Sequence, residues 1–271
     1  RHLVYTADLA VDNAFALWSV DAAATVPAPV ALVTDAELGT GEDVQGTLAF
    51  DSQSRLYFKA DIDTDNLFRL YRVDIDGQNR EQVPGTNLMN TGGTLEASIG
   101  SFGISHAGDR IAFSSDSPNA ALYEMYAIDV GANTAEKISN VTPSMPLPGD
   151  FSGPDFQAPI WWSPDGAFVA ARADYQQVFN EMDDTWSLWV FPSTGMGGTR
   201  IFGAPATTNL NIDEGLFSAD SARIYARGDL RGNGVNEIFS TTDFSTSDQD
   251  PDTNIHQGVV MGGDIDGFVV P

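Results

Sequence analysis

The sequence predicts an all-β fold assembled from repeats of one four-stranded unit. Three observations lead there. An Asp closing a hydrophobic run recurs five times at nearly constant spacing, as Asp8, Asp61, Asp116, Asp174 and Asp229, with gaps of 53, 55, 58 and 55 residues. The segments around these anchors alternate apolar and polar residues with period two and are rich in β-branched and aromatic side chains, as in RIAFSSD and ALYEMYAID. Gly, Pro, Asp and Asn punctuate them, and no stretch carries a helical period with caps.

The repeats can be followed along the chain. YTADLAVDNAFALWSVD, from Tyr5 to Asp21, aligns without a gap on FKADIDTDNLFRLYRVD, from Phe58 to Asp74. FSSDSPNAALYEMYAID, from Phe113 to Asp129, keeps the same frame, so the first anchors are followed thirteen residues later by Asp21, Asp74 and Asp129. Two looser copies follow: ARADYQQVFNEMDDTWSLWVF around Asp174, with about five inserted residues, and ARGDLRGNGVNEIFST around Asp229. In the fourth unit the expected strands are APIWW, AFVAARAD, TWSLWVF and TRIFG, with the first two joined by the turn SPDG, Ser163 to Gly166. Pro presets φ there and Gly accepts the left-handed conformation. The same turn is expected at Ser105 to Gly108, at Ser218 to Ser221, and as FDSQ from Phe50 to Gln53.

A strand ending in W-S-P-D-G, then a hydrophobic strand, an Asp-containing hairpin and an L-W/Y-x-V-D strand, resembles the TolB-like (WD-type) β-propeller repeat. The resemblance covers essentially the whole chain, residues 1–271, as one domain of five repeats of about 55 residues. It implies four-stranded antiparallel blades set radially around a channel, most simply five of them. The opening RHLVYTAD reads as a strand already under way, and the closing DGFVVP reads as a first strand approaching the same turn. The expected closure pairs the strand near Val270 with the strand near His2, hiding both edges. The alternative is a portion of a six-bladed or larger ring.

Composition narrows the function. Asp and Glu number 38 against 13 Lys and Arg, a net charge of −25, and the only lysines are Lys59 and Lys137. Such a chain repels phosphate backbones and anionic lipid, which argues against nucleic acid and membrane surfaces as partners. The apolar stretch Ala22 to Val33 carries Pro27 and Pro29 and falls short of a membrane span. With no cysteine, disulfides, thiolate zinc sites and cysteine nucleophiles are excluded. The acidic excess suits salt or calcium-rich water and a periplasmic, cell-surface or extracellular setting.

No G-x-S-x-G elbow, H-E-x-x-H or phosphate-binding glycine loop is present, and the three histidines stand in unremarkable contexts. DIDTDN places Asp61, Asp63 and Asp65 on alternate residues of a turn; they are either turn formers or hard-oxygen ligands for calcium. Arg227-Gly228-Asp229 spells an adhesion tripeptide, but its Asp is the repeat's own anchor. In a propeller the long connections open on one face, and acidic residues recur where they run into each first strand: Glu42, Asp43, Glu96, Asp155, Asp213, Glu214, Asp264 and Asp266. The enlarged fourth hairpin sets Tyr175, Phe179 and Trp186 beside Glu181, Asp183 and Asp184. Aromatic anchors flanked by carboxylates suit a basic or amphipathic partner. The expected function is therefore non-catalytic binding of a protein, peptide, glycan or cation on the long-loop face. The competing expectation is a glycosidase-like enzyme with paired carboxylates in the channel.

Overall fold

The computed structural model describes residues 1–8, 15–34, 36–38, 43–89, 96–117, 123–139, 155–174, 186–202, 211–229 and 234–244. These residues contain eighteen strands and no helix. They form five antiparallel sheets, each a simple meander in which consecutive strands are neighbours. The first holds β1 (His2–Ala7), β2 (Ala16–Asp21) and β3 (Val30–Val33). The second holds β4 (Val44–Phe50), β5 (Leu56–Ala60), β6 (Arg69–Val73) and β7 (Glu81–Gln82). The third holds β8 (Ile99–Ile104), β9 (Arg110–Ser115), β10 (Glu124–Asp129) and β11 (Glu136–Lys137). The fourth holds β12 (Asp155–Trp162), β13 (Phe168–Asp174), β14 (Ser187–Pro192) and β15 (Thr199–Phe202), and the fifth β16 (Asn211–Phe217), β17 (Ile224–Asp229) and β18 (Glu237–Thr241). The first strands β4, β8, β12 and β16 lie side by side in chain order, which is the inner lining of a propeller. The pairing expected between the strand near Val270 and β1 falls outside the described residues.

Period-two patterning fixes how the sheets stack. In β13, Val169, Ala171 and Ala173 face one cluster with Met125 and Ala127 of the third sheet, while Ala170 faces another with Ile212, Ile224 and Ala226 of the fifth. In β14, Trp189 and Phe191 point backward, and Leu188 and Val190 point forward. The same division splits β5, with Leu56, Phe58 and Ala60 against the first sheet and Tyr57 against the third. Four apolar layers therefore each join two consecutive sheets, and a blade between two neighbours is buried on both faces. That is why β10 and β14 are buried through five successive residues despite their alternating sequence.

The turn after each first strand is built from one hydrogen-bond pattern. Ser163 Oγ accepts from Phe168 N at 2.9 Å and donates to Asp165, whose carboxylate also accepts from Ala167 N. Ser218 and Ser105 repeat the pattern with Arg223 N and Arg110 N. In the second blade the structure corrects the expected register. The turn runs from Asp51 to Ser54 rather than from Phe50 to Gln53, because Ser54 N donates to Asp51 O as Gly166 N does to Ser163 O. Phe50 closes β4, and the Asp51 carboxylate takes the serine's role by accepting from Gln53 N and Arg55 N. Ser54 and Ser221 occupy the glycine place with φ of 63° and 59°.

Between the first two sheets, Arg80 donates to the Leu32 carbonyl and to Glu37, which also accepts from Thr34 N and Oγ1 at 2.8 Å. The Arg80 hydrogen bond comes first in lowering the Glu37 pKa from 4.5 to about 2. A depressed carboxylate pKa stabilises the fold above the unfolded value and loses that contribution as pH falls. We expect Glu37→Gln to cost about 1 kcal/mol at neutral pH, a figure discounted for partial exposure. The difference from the parent should vanish between pH 4.5 and about 2, followed by thermal melts across that range. A constant difference down to pH 2 would show that the ion pair does not carry it.

Candidate functional site

The anchor aspartates organise the face opposite the short turns. Asp61, buried at 1% exposure, accepts from Asp43 N at 2.7 Å through Oδ1 and from Asn66 N at 3.1 Å through Oδ2. It thus ties the second-to-third-strand hairpin to the segment leading into β4. Asp116 accepts from Ser98 N ahead of β8, and burial raises its pKa. Asp229 accepts from Gly234 N at 2.8 Å. In these three repeats the anchor Asp is a backbone staple.

Asp61, Asp63 and Asp65 take separate roles in this turn. Both Asp61 oxygens are engaged by amides, Asp63 accepts from Arg69 at 3.2 Å and from Tyr71 Oη at 2.6 Å, and Asp65 is exposed. Among the described residues, no group of three His, Asp or Glu side chains is placed to hold a metal ion. Of the described acidic residues at or just before the first strands, three have arginine partners. Glu96 is bridged by Arg69, and Asp213 and Glu214 flank Arg227 at 3.4 and 3.5 Å. Three of the carboxylates on the described part of this face are therefore in ion pairs.

Each first strand carries a β-bulge near its beginning: Gln45/Ala49 in β4, Ile99/Phe102 in β8, Gln157/Ile160 in β12 and Ile212/Glu214 in β16. A bulge leaves backbone groups outside the ladder. At or beside three of these the preceding blade supplies a donor: Lys59 Nζ to Gly100 O at 2.7 Å, Ser101 Oγ to Phe156 O at 3.3 Å, and Arg172 to Ile212 O at 3.3 Å. Lys59, Ser114, Arg172 and Arg227 all stand two residues before an anchor Asp, and Ser114 accepts from Ser101 N at 2.8 Å.

Where the fourth and fifth blades meet, this arrangement becomes a chemically mixed site. Arg172 lies 5.1 Å from the Trp186 ring centroid, and Trp186 O accepts from Ile212 N at 2.9 Å. Burial lowers the Arg172 pKa, and the charge of Asp213 opposes that shift. Asn236 Nδ2 donates to Asp213 at 2.9 Å, beside Arg227. Of the residues expected from sequence, Trp186, Asp213 and Glu214 come together here. Asp155 begins β12, but its side chain is outside the description, as are Tyr175, Phe179, Glu181, Asp183, Asp184 and Asp266 altogether. Sequence reasoning missed Arg172 and Arg227. Their signal was positional: scarce cations at one place in the repeat. Arg227 is turned toward Asp213 and Glu214 from within β17, so the Arg-Gly-Asp tripeptide is part of a paired strand.

Comparison with known proteins agrees on the architecture. No family model matches the chain, and no curated protein matches it. Among solved structures it is similar to an oligogalacturonate lyase in complex with manganese, at a TM-score of 0.55 and 12% identity, over 89% of this chain and 59% of that one. It is also similar to the β-propeller domain of the Trilobed protease from Pyrococcus furiosus, described as having an open velcro topology, at a TM-score of 0.51 and 9% identity, over 91% and 66%. A looser likeness, at a TM-score of 0.44 and 17% identity, joins it to a putative TolB from Agrobacterium tumefaciens, over 79% and 62%. The chain spans less than two thirds of each of these proteins. At these identities the likeness concerns fold alone: the chain is a β-propeller. No helix among the described residues is long and apolar enough to cross a membrane.

Proposed function

We propose that this chain is a non-catalytic binding or scaffold module, working in a periplasmic, cell-surface or extracellular setting and engaging a protein, peptide or glycan through its long-loop face. The observation that supports this reading is the cluster at the junction of the fourth and fifth blades. It combines an aromatic ring, two guanidiniums, two carboxylates and an amide on strands or immediately before them, and each carboxylate lies against the guanidinium of Arg227. A rigid scaffold presenting convergent polar groups beside an aromatic is suited to recognition. Glycosidase chemistry asks instead for one carboxyl that gives a proton and another that acts as base or nucleophile.

The test uses the purified protein with a panel of neutral oligosaccharides, uronate oligosaccharides, oligolysine and acidic peptides. Saturable binding without turnover is expected, weakened at least about tenfold by Arg172→Ala, in keeping with a central interface residue. Circular dichroism should show the fold retained in that variant. Turnover of any probe that depends on Asp213 or Glu214 would overturn the non-catalytic reading. Absence of saturable binding across the panel would overturn the binding reading.

A further inference from the structure

We infer that the junction of the fourth and fifth blades is a subsite for a neutral, hydroxyl-rich ligand, an uncharged glycan. The inference deepens the binding function proposed above and rests on it. Charge discriminates among ligand classes. A polyanion approaches a chain of net charge −25 against repulsion, and the local guanidiniums do not offset it, since Arg227 already lies against Asp213 and Glu214. A cationic ligand would have to displace Arg227 from those same carboxylates. A neutral polyol meets neither obstacle.

The geometry suits hydroxyl groups. Asp213 and Glu214 keep about a third of their side-chain surface, at 34% and 31%, and their contacts with Arg227 are long, at 3.4 and 3.5 Å. Ionised carboxylates have about four acceptor sites each, and a guanidinium has five donors. The Asp213–Arg227–Asn236 group therefore presents acceptors and donors within one ligand's reach. A sugar hydroxyl, which donates and accepts at once, can bridge such a pair without breaking it. Trp186 supplies the partly exposed aromatic surface on which the C–H face of a pyranose settles, and Arg172 keeps the ring in place. Arg172 is itself held to the Ile212 carbonyl at 3.3 Å, so the platform and the polar cluster share one rigid connection.

The experiment titrates the protein with neutral oligosaccharides such as β-glucan and mannan fragments, and separately with oligogalacturonate and oligolysine, at about 0.05 and 0.5 M salt. A neutral oligosaccharide should bind with an affinity that changes less than about twofold with salt, because no counterions are released. Trp186→Ala should weaken it at least about tenfold and Trp186→Phe by less than about threefold, with melting temperatures close to the parent's. Binding of only the charged probes, or equal affinity in Trp186→Ala, would overturn the subsite; binding of oligolysine alone would leave the general binding function standing. Salt-independent binding accompanied by cleavage of the sugar would keep the subsite and overturn the non-catalytic reading.

Discussion

Asp61→Ala is expected to lower the melting temperature by roughly 10 °C, because it strips two backbone amides of a buried charged acceptor. Asp43 N and Asn66 N both donate to this side chain, and it is 1% exposed, so water does not readily replace it. A hydrogen bond to a charged group contributes about 1.5–3 kcal/mol, and two give about 3–6 kcal/mol. For a chain of this size each kcal/mol shifts the midpoint by about 2–4 °C. Asp61→Asn should fall between, since an amide oxygen still accepts. Asp63→Asn, which weakens contacts with Arg69 and Tyr71 at an exposed carboxylate, should cost no more than about 1 kcal/mol. Added calcium or chelator should leave all four proteins unmoved. An Asp61→Ala midpoint within 2 °C of the parent, or a calcium-dependent rise removed by Asp63→Asn, would refute the staple.

The second large effect is expected at Gly108. It has φ of +70°, and a Cβ built there would stand 2.1 Å from Ser52 N and 2.8 Å from Asp51 C. Those atoms belong to the turn of the preceding blade. Gly108→Ala therefore meets two costs: about 1–2 kcal/mol for a left-handed alanine, and a further 1–3 kcal/mol for forcing two turns apart. Gly166 provides the control. It occupies the same place in the fourth turn, with φ of +72°, yet nothing lies within 4 Å of its imagined Cβ. Gly166→Ala should show only the conformational cost. The difference between the two variants, read from chemical denaturation, isolates the contact between turns. Equal destabilisation would mean that the second and third turns separate freely.

Much of the fold was legible because the repeat is written twice, in the anchor Asp and in the period of the strands. The fourth unit's APIWW, AFVAARAD, TWSLWVF and TRIFG correspond to β12, β13, β14 and β15 within a few residues. The second blade's turn was misplaced by one residue because Asp51 does there what serine does elsewhere, and a carboxylate in that role leaves no S-x-x-G signature. The site was less legible. Carboxylates could be counted along the chain, but whether Asp213 meets a ligand or Arg227 depends on which residue of β17 the bulge in β16 brings opposite. A pairing across strands with a shifted register is invisible to spacing. The double burial of β14 was hidden for a related reason: alternation describes two faces, not what covers each.

The donors that close the bulges also have a direction. Lys59 reaches forward to Gly100, Ser101 to Phe156, and Arg172 to Ile212; in each case the giver is made before the receiver. A ribosome delivers the chain in that same order. When a new inner strand emerges, the group that will meet its carbonyl has already been synthesised. These three contacts thus have a grain, like overlapping roof tiles laid from one side. Exchanging two blades while keeping every residue of each would change which side chain meets each of these carbonyls.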